Sequence, residues 1–149
     1  MTRQKSLTCS SNSRISTRAN SNPKAGGGEV SQKDISAISK STAEHYIWGN
    51  GCDGWHLIKN PELSVIQERM PAGTAEVRHF HHHAQQFFYV LAGKAVMEID
   101  GSPVVLRAGE GIWIPPNTSH QMRNDSSKGE EVHFLVISQP PSHGDRQNT

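Results

Sequence analysis

From about Trp55 onward, short runs of apolar and β-branched residues alternate with turn-forming residues, and no long helical period interrupts them. The runs are Trp55–Ile58, Leu63–Arg69, Glu76–Phe80, Gln86–Leu91, Ala95–Ile99, Val104–Arg107, Gly111–Ile114, His120–Asn124 and Val132–Ser138. Between them stand Asn60-Pro61, Pro71-Ala72-Gly73, Gly93, Asp100-Gly101, Pro115-Pro116-Asn117 and the loop from Asn124 to Gly129. Many closely spaced short strands predict an all-β sandwich or barrel.

Strand parity assigns faces. With Ala92-Gly93 as a two-residue turn, Val90 faces Ala95, Phe88 faces Met97 and Gln86 faces Ile99. With Asp100-Gly101 as the next turn, Met97 faces Val104 and Ala95 faces Leu106. One face then carries Gln86, Phe88, Val90, Ala95, Met97, Ile99, Val104 and Leu106, an apolar wall with one polar group at its end. That is the inside of a barrel with a ligand position on it. The other face of the first strand carries Phe87, Tyr89 and Leu91, so this strand needs cover on both sides. The core is too short to supply it, which predicts a homodimer.

Upstream the pattern fails. Residues 1–41 are rich in Ser, Thr, Asn, Arg and Gly and hold few large apolar residues, so they read as a disordered tail. A transit peptide and an upstream extension from a misassigned start codon are the alternatives. Ser31–Ser41 has at most a weak helical tendency. The barrel is expected over 42–140 and a C-terminal tail over 141–149.

Charge sharpens this division. The net +1 of the 149 residues hides five basic residues and no acid in residues 1–28. From Glu29 onward, ten basic residues face fourteen acids, a balance of −4. No basic stripe marks a nucleic-acid surface, and the basic tail has no aromatic residue for base stacking. No apolar run approaches the ~18 residues of a membrane span. Cys9 and Cys52 are the only cysteines and form no CxxC, which fits a reducing, cytoplasmic setting.

The chemistry concentrates in histidine. His79 and His81 stand two apart on a predicted strand and point the same way. Imidazole is the usual ligand for divalent zinc, copper, iron and nickel. A third His and an amide or carboxylate oxygen would close a site that keeps room for water or substrate.

Two blocks hold these residues. Gly73 is followed by His79-Phe80-His81, Gln86 and Gly93, and Gly109 by Pro115-Pro116-Asn117, His120 and Asn124. In order and spacing they resemble the two motifs of the cupin family, over about residues 60–138. The resemblance implies a small jelly-roll barrel, commonly dimeric. It also implies one divalent transition metal (Fe, Mn, Ni, Cu or Zn) on His79, His81, His120 and, at the fourth position, Gln86.

Two residues depart from the motifs. Asn117 replaces the glycine of the PxG turn, a mild change because Asn tolerates positive φ. Gln86 replaces the usual Glu and offers only a neutral carbonyl oxygen. The ion would then keep its full charge and be more Lewis-acidic. Gln86 could instead hydrogen-bond to a metal-bound water.

The resemblance does not fix a reaction, since cupins include dioxygenases, isomerases, epimerases, lyases and binding proteins. The expectation is a metal-binding cupin acting on a small oxygen-rich organic molecule, leaning to dioxygenase-like chemistry. An isomerase or lyase, a non-catalytic small-ligand module and a metal-free structural barrel are the alternatives. Phe88, Met97 and Met122 are expected as barrel lining, serving core and substrate pocket alike. His82 and His83 read as solvated and Phe80 as packing. Cys52 reads as part of a tight loop, with no base to make it a nucleophile. His56 or Trp55 could reach the barrel mouth. Ser142–Arg146 reads as a solvated tail, with a lid as the alternative. Glu68 and Glu76 are both candidates for a general acid or base.

Overall fold

A computed structural model describes residues 35–149, and every regular element in it is a strand. In chain order these are β1 (Glu44–Trp48), β2 (Cys52–Lys59), β3 (Ser64–Met70), β4 (His79–His81), β5 (Gln85–Ala92), β6 (Lys94–Ile99), β7 (Ser102–Arg107), β8 (Gly111–Ile114), β9 (His120–Arg123), β10 (Val132–Gln139) and β11 (Arg146–Asn148). They form two antiparallel sheets, a six-stranded one in the order β1-β2-β3-β10-β5-β8 and a five-stranded one in the order β11-β4-β9-β6-β7. This is the expected all-β jelly-roll barrel. The tail expectation falls mostly on residues outside the described part. Residues 35–41 form no helix, and the first four residues of Ser31–Ser41 lie outside the described part.

Period-two alternation builds the interior. On β10, Val132, Phe134, Val136 and Ser138 are buried while the residues between them are partly exposed. Gln86, Phe88 and Val90 do the same on β5. From the second sheet, Ala95, Met97, Leu106 and Met122 meet them, and Phe88 and Phe134 pack ring to ring at 6.2 Å.

The register expected across Asp100-Gly101 is present, with Met97 opposite Val104 and Ala95 opposite Leu106. The hairpin expected across Ala92-Gly93 is not. β5 pairs with β10 and β8, while β6 pairs with β7 and β9, so the chain changes sheet at Gly93. Gly93 has φ of 82°, and a Cβ there would lie 2.3 Å from the Glu131 carbonyl oxygen. Glycine is needed because the crossing runs against another backbone. Gly93→Ala should therefore destabilise the protein by more than about 2 kcal/mol in urea unfolding; an unchanged midpoint would contradict this reading.

Two strands were not foreseen. β1 extends the first sheet alongside β2. β11 extends the second, pairing Arg146 with His81 and Asn148 with His79. The Ser142–Arg146 segment is thus bound to the barrel: Asp145 Oδ2 accepts the backbone N–H groups of His83 at 2.9 Å and Ala84 at 2.8 Å. Among the described residues, no helix is long and apolar enough to cross a membrane.

Candidate metal centre

The alternation on β4 turns His79 and His81 inward. His120 is paired directly across from His79 on β9. All three are buried, and each offers a ring nitrogen within 4.8 Å of the others. Second contacts orient two of the rings. His79 Nδ1–H donates to the Val77 carbonyl at 2.7 Å and His120 Nδ1–H to the Thr118 carbonyl at 2.9 Å. Each leaves its Nε2 lone pair for the centre. Burial pushes His79 down to about 3, His81 down to about 4, and His120 downward as well. The cluster is therefore neutral near pH 7, the form that ligates metals.

Gln86 reaches the group from the opposite sheet. Its Nε2 donates to Ser138 Oγ at 3.0 Å, and its Oε1 lies 3.0 Å from His120 Nε2. With His120 Nδ1–H committed to Thr118, that approach sets two acceptors face to face. A cation shared by them removes the conflict. His81 gives the same indication, because both its ring nitrogens are buried with no hydrogen-bond partner. The three-histidine group fits a metal ion and could hold one. Its donors are nitrogen and neutral oxygen, which does not select among the transition metals.

His79, His81 and Gln86 lie in the wall of a cavity of about 960 Å³, which His120 does not itself border. Phe88, Ile66 and Val136 supply apolar lining, and Glu68, Glu76, Tyr46 and His56 supply polar lining. Of the residues expected to line a pocket, Phe88 does so. Met97 and Met122 are fully buried in the closed core and do not border the cavity. The difference is one of depth, since parity sets the face but not how far down the barrel a residue lies. Cys52 is core as well, and burial raises its thiol pKa. Trp55 stacks on His45 instead of joining His56 at the cavity. His82 and His83 are exposed.

Sequence reasoning missed Tyr46, Trp48, Pro140 and Pro141, which border the cavity, and held the Ser142–Arg146 segment only as an alternative lid, whereas Ser142, His143, Gly144 and Arg146 border it too. Tyr46 and Trp48 had a signal, the alternation within Glu44–Trp48.

The two carboxyls are the most perturbed acids of the site. Tyr46 Oη–H donates to Glu68 Oε1 at 3.0 Å, and the Met122 N–H donates to Glu76 Oε2 at 3.0 Å. Burial first, and then the neighbouring Glu76 charge, pushes Glu68 up to about 8 from an ordinary 4.5. Burial pushes Glu76 up to about 7. Between pH 4.5 and 8 the folded protein keeps a proton on Glu68 that the unfolded chain has released, so stability falls as pH rises through that window. Glu68→Gln removes this dependence. Its melting temperature relative to wild type should climb steadily from pH 5 to pH 8, and a difference that stays flat would contradict the assignment.

Comparison with known proteins agrees with this architecture. Residues 66–138 match the cupin domain family. An uncharacterized protein of Methanocaldococcus jannaschii is 28% identical over 93 residues, covering 62% of this chain and 73% of that protein. Quercetin 2,3-dioxygenase of Bacillus subtilis is 35% identical over 75 residues, which span 50% of this chain and 22% of that enzyme. The crystal structure of an RmlC-like cupin from Shewanella frigidimarina superposes with a TM-score of 0.63, at 23% identity, covering 70% of this chain and 89% of that one, a likeness of fold. A jelly roll of two antiparallel sheets, three inward histidines in motif order and the family match together place the chain in the cupin superfamily.

Proposed function

We propose that this cupin is a metal-dependent enzyme that acts on a small, oxygen-rich organic molecule. His79, His81 and His120 would hold one divalent transition metal, with Gln86 beside it. The observation that carries the reading is the meeting of three neutral, buried imidazoles, two of which stand in the wall of a mostly apolar cavity. When bound, the ion supplies Lewis-acid polarisation of a substrate oxygen. Phe88, Ile66 and Val136 exclude water, and Gln86, fixed by Ser138, orients the histidine end.

Similarity to part of a quercetin dioxygenase supports oxidative chemistry. The buried acids Glu68 and Glu76 in the same cavity support proton-transfer chemistry of the isomerase or lyase type, and that is the reading taken here. A screen of metal-loaded protein separates the two. Oxygen uptake with catechols or flavonols supports oxidation. Deuterium uptake from solvent into hydroxyketones, without oxygen consumption, supports proton transfer. A ligand retained through purification and never turned over would make the protein a binding module.

The outer face of the six-stranded sheet supports a homodimer. Phe87, Leu91 and Trp113 are 38%, 42% and 59% exposed, and Phe87 pairs directly with Trp113. Burying such a face is what a second copy would accomplish. Sedimentation should show a dimer that Phe87→Glu with Trp113→Glu converts to monomer; a monomeric wild type would end this part of the proposal.

A further inference from the structure

Tyr46, Gly54 and Glu68 stand in one line across β1, β2 and β3, since Tyr46 pairs with Gly54 and Gly54 with Glu68. A Cβ at Gly54 would lie 2.2 Å from Tyr46 Cζ. The glycine therefore opens the space in which the tyrosine ring crosses β2, and the phenol ends on Glu68 Oε1 at 3.0 Å. On the far side of Glu68 the next residue in line is Phe134, which is apolar and fully buried. Glu68 is only 8% exposed, yet no lysine or arginine forms an ion pair with it among the described residues. Its near neighbour is another acid, Glu76. For the fold alone, this is a costly place for a carboxylate.

We propose that Glu68 is the proton-exchanging residue of the cavity, with Tyr46 as its positioning residue. The proposal rests on the reading of the cavity as a metal-dependent active site. Glu68 projects from the six-stranded sheet and His79 and His81 from the five-stranded sheet, and all three border the same space. A hydroxyketone held by its oxygens at the histidine end presents the C–H beside its carbonyl to the opposite wall. That C–H bond breaks, the proton goes to the Glu68 carboxylate, and the electron pair moves onto the carbonyl oxygen as an enolate. Return of the proton to the former carbonyl carbon, with the hydroxyl proton passing to the former carbonyl oxygen as the C=O double bond re-forms at the neighbouring carbon, completes an isomerisation. Loss of a β-leaving group with its electron pair completes an elimination instead. Neither course needs an oxidant. The groups around Glu68 suit it to exchange near neutrality: Tyr46 on β1, His56 on β2, Glu76 ahead of β4 and Arg146 on β11. Tyr46, itself held well above its ordinary range by burial, stays protonated as a donor.

Two readouts test this. Carbon-13 NMR of protein labelled at the glutamate carboxyls, assigned through bonds, follows Glu68 directly and needs no variant. A Glu68 carboxyl that titrates between pH 6 and 9, in ~the window expected of a catalytic base, supports the proposal; one ionised throughout overturns it. The second uses zinc-loaded protein and dihydroxyacetone in deuterium oxide. Wild type should exchange the substrate C–H, and Glu68→Gln should do so about 100-fold or more slowly at unchanged zinc content. Glu68→Asp should recover part of the rate. Exchange at the wild-type rate by zinc-loaded Glu68→Gln, or none by zinc-loaded wild type, overturns the role of Glu68. Failure of wild type to take up zinc overturns the active-site reading itself, which keeps the two failures distinct.

Discussion

His81→Leu should abolish the response of the protein to transition metals while making the metal-free protein more stable. In the metal-free fold His81 is 4% exposed and both its ring nitrogens are buried without partners. Unsatisfied buried polar groups cost about 1–3 kcal/mol each, so an apolar side chain of similar volume should raise metal-free stability by about 1–2 kcal/mol. The cost to function is much larger. Loss of groups that merely orient metal ligands weakens affinity roughly 10- to 100-fold, and loss of one of three histidine ligands should exceed about 1,000-fold. Free metal at 1,000 times its dissociation constant stabilises a folded protein by about 4 kcal/mol. Wild type should therefore melt roughly 15–25 °C higher when loaded, and His81→Leu should not shift. A variant that still shifts with metal, or that is less stable than wild type without it, would contradict this account of His81.

Phe134→Ala should produce the largest loss of stability available from one core substitution. Phe134 is fully buried at the centre of β10, between Glu68 on β3 and Val90 on β5, with the Phe88 ring against it. Truncating a buried phenylalanine costs about 3–5 kcal/mol, from lost transfer energy and the cavity left behind. For a domain whose whole stability is of the order of 5–15 kcal/mol, that leaves little margin. Urea unfolding should show the midpoint falling with little change in slope. A loss below about 1 kcal/mol would mean that the two sheets repack around the gap.

The barrel and its histidines were legible in the sequence for a local reason. A two-residue period names the inward face of each strand, and it put His79, His81, Gln86, Phe88 and His120 inside. It could not distinguish a glycine that closes a hairpin from one that carries the chain between sheets, since positive φ serves both, and so Gly93 was misread. Nor does parity give depth, which is why Met97 and Met122 belong to the closed core while Phe88 borders the cavity. β11 has no apolar residue and exists through backbone pairing with β4, so no pattern announced it. Glu68 stood out only as one of two candidate acids. Its link to Tyr46 depends on the register of three strands, one of them unforeseen. Asn117 followed its chemistry, adopting φ of 60° where the motif has glycine.

The central claim is that His79, His81 and His120 form a metal centre. Elemental analysis of untagged protein purified anaerobically, beside a His79→Ala, His81→Ala double variant prepared in the same way, tests it most directly. The account predicts about one transition-metal ion per chain in the wild type and none in the variant. Wild-type protein without metal even after reconstitution, or equal metal in both proteins, would contradict it.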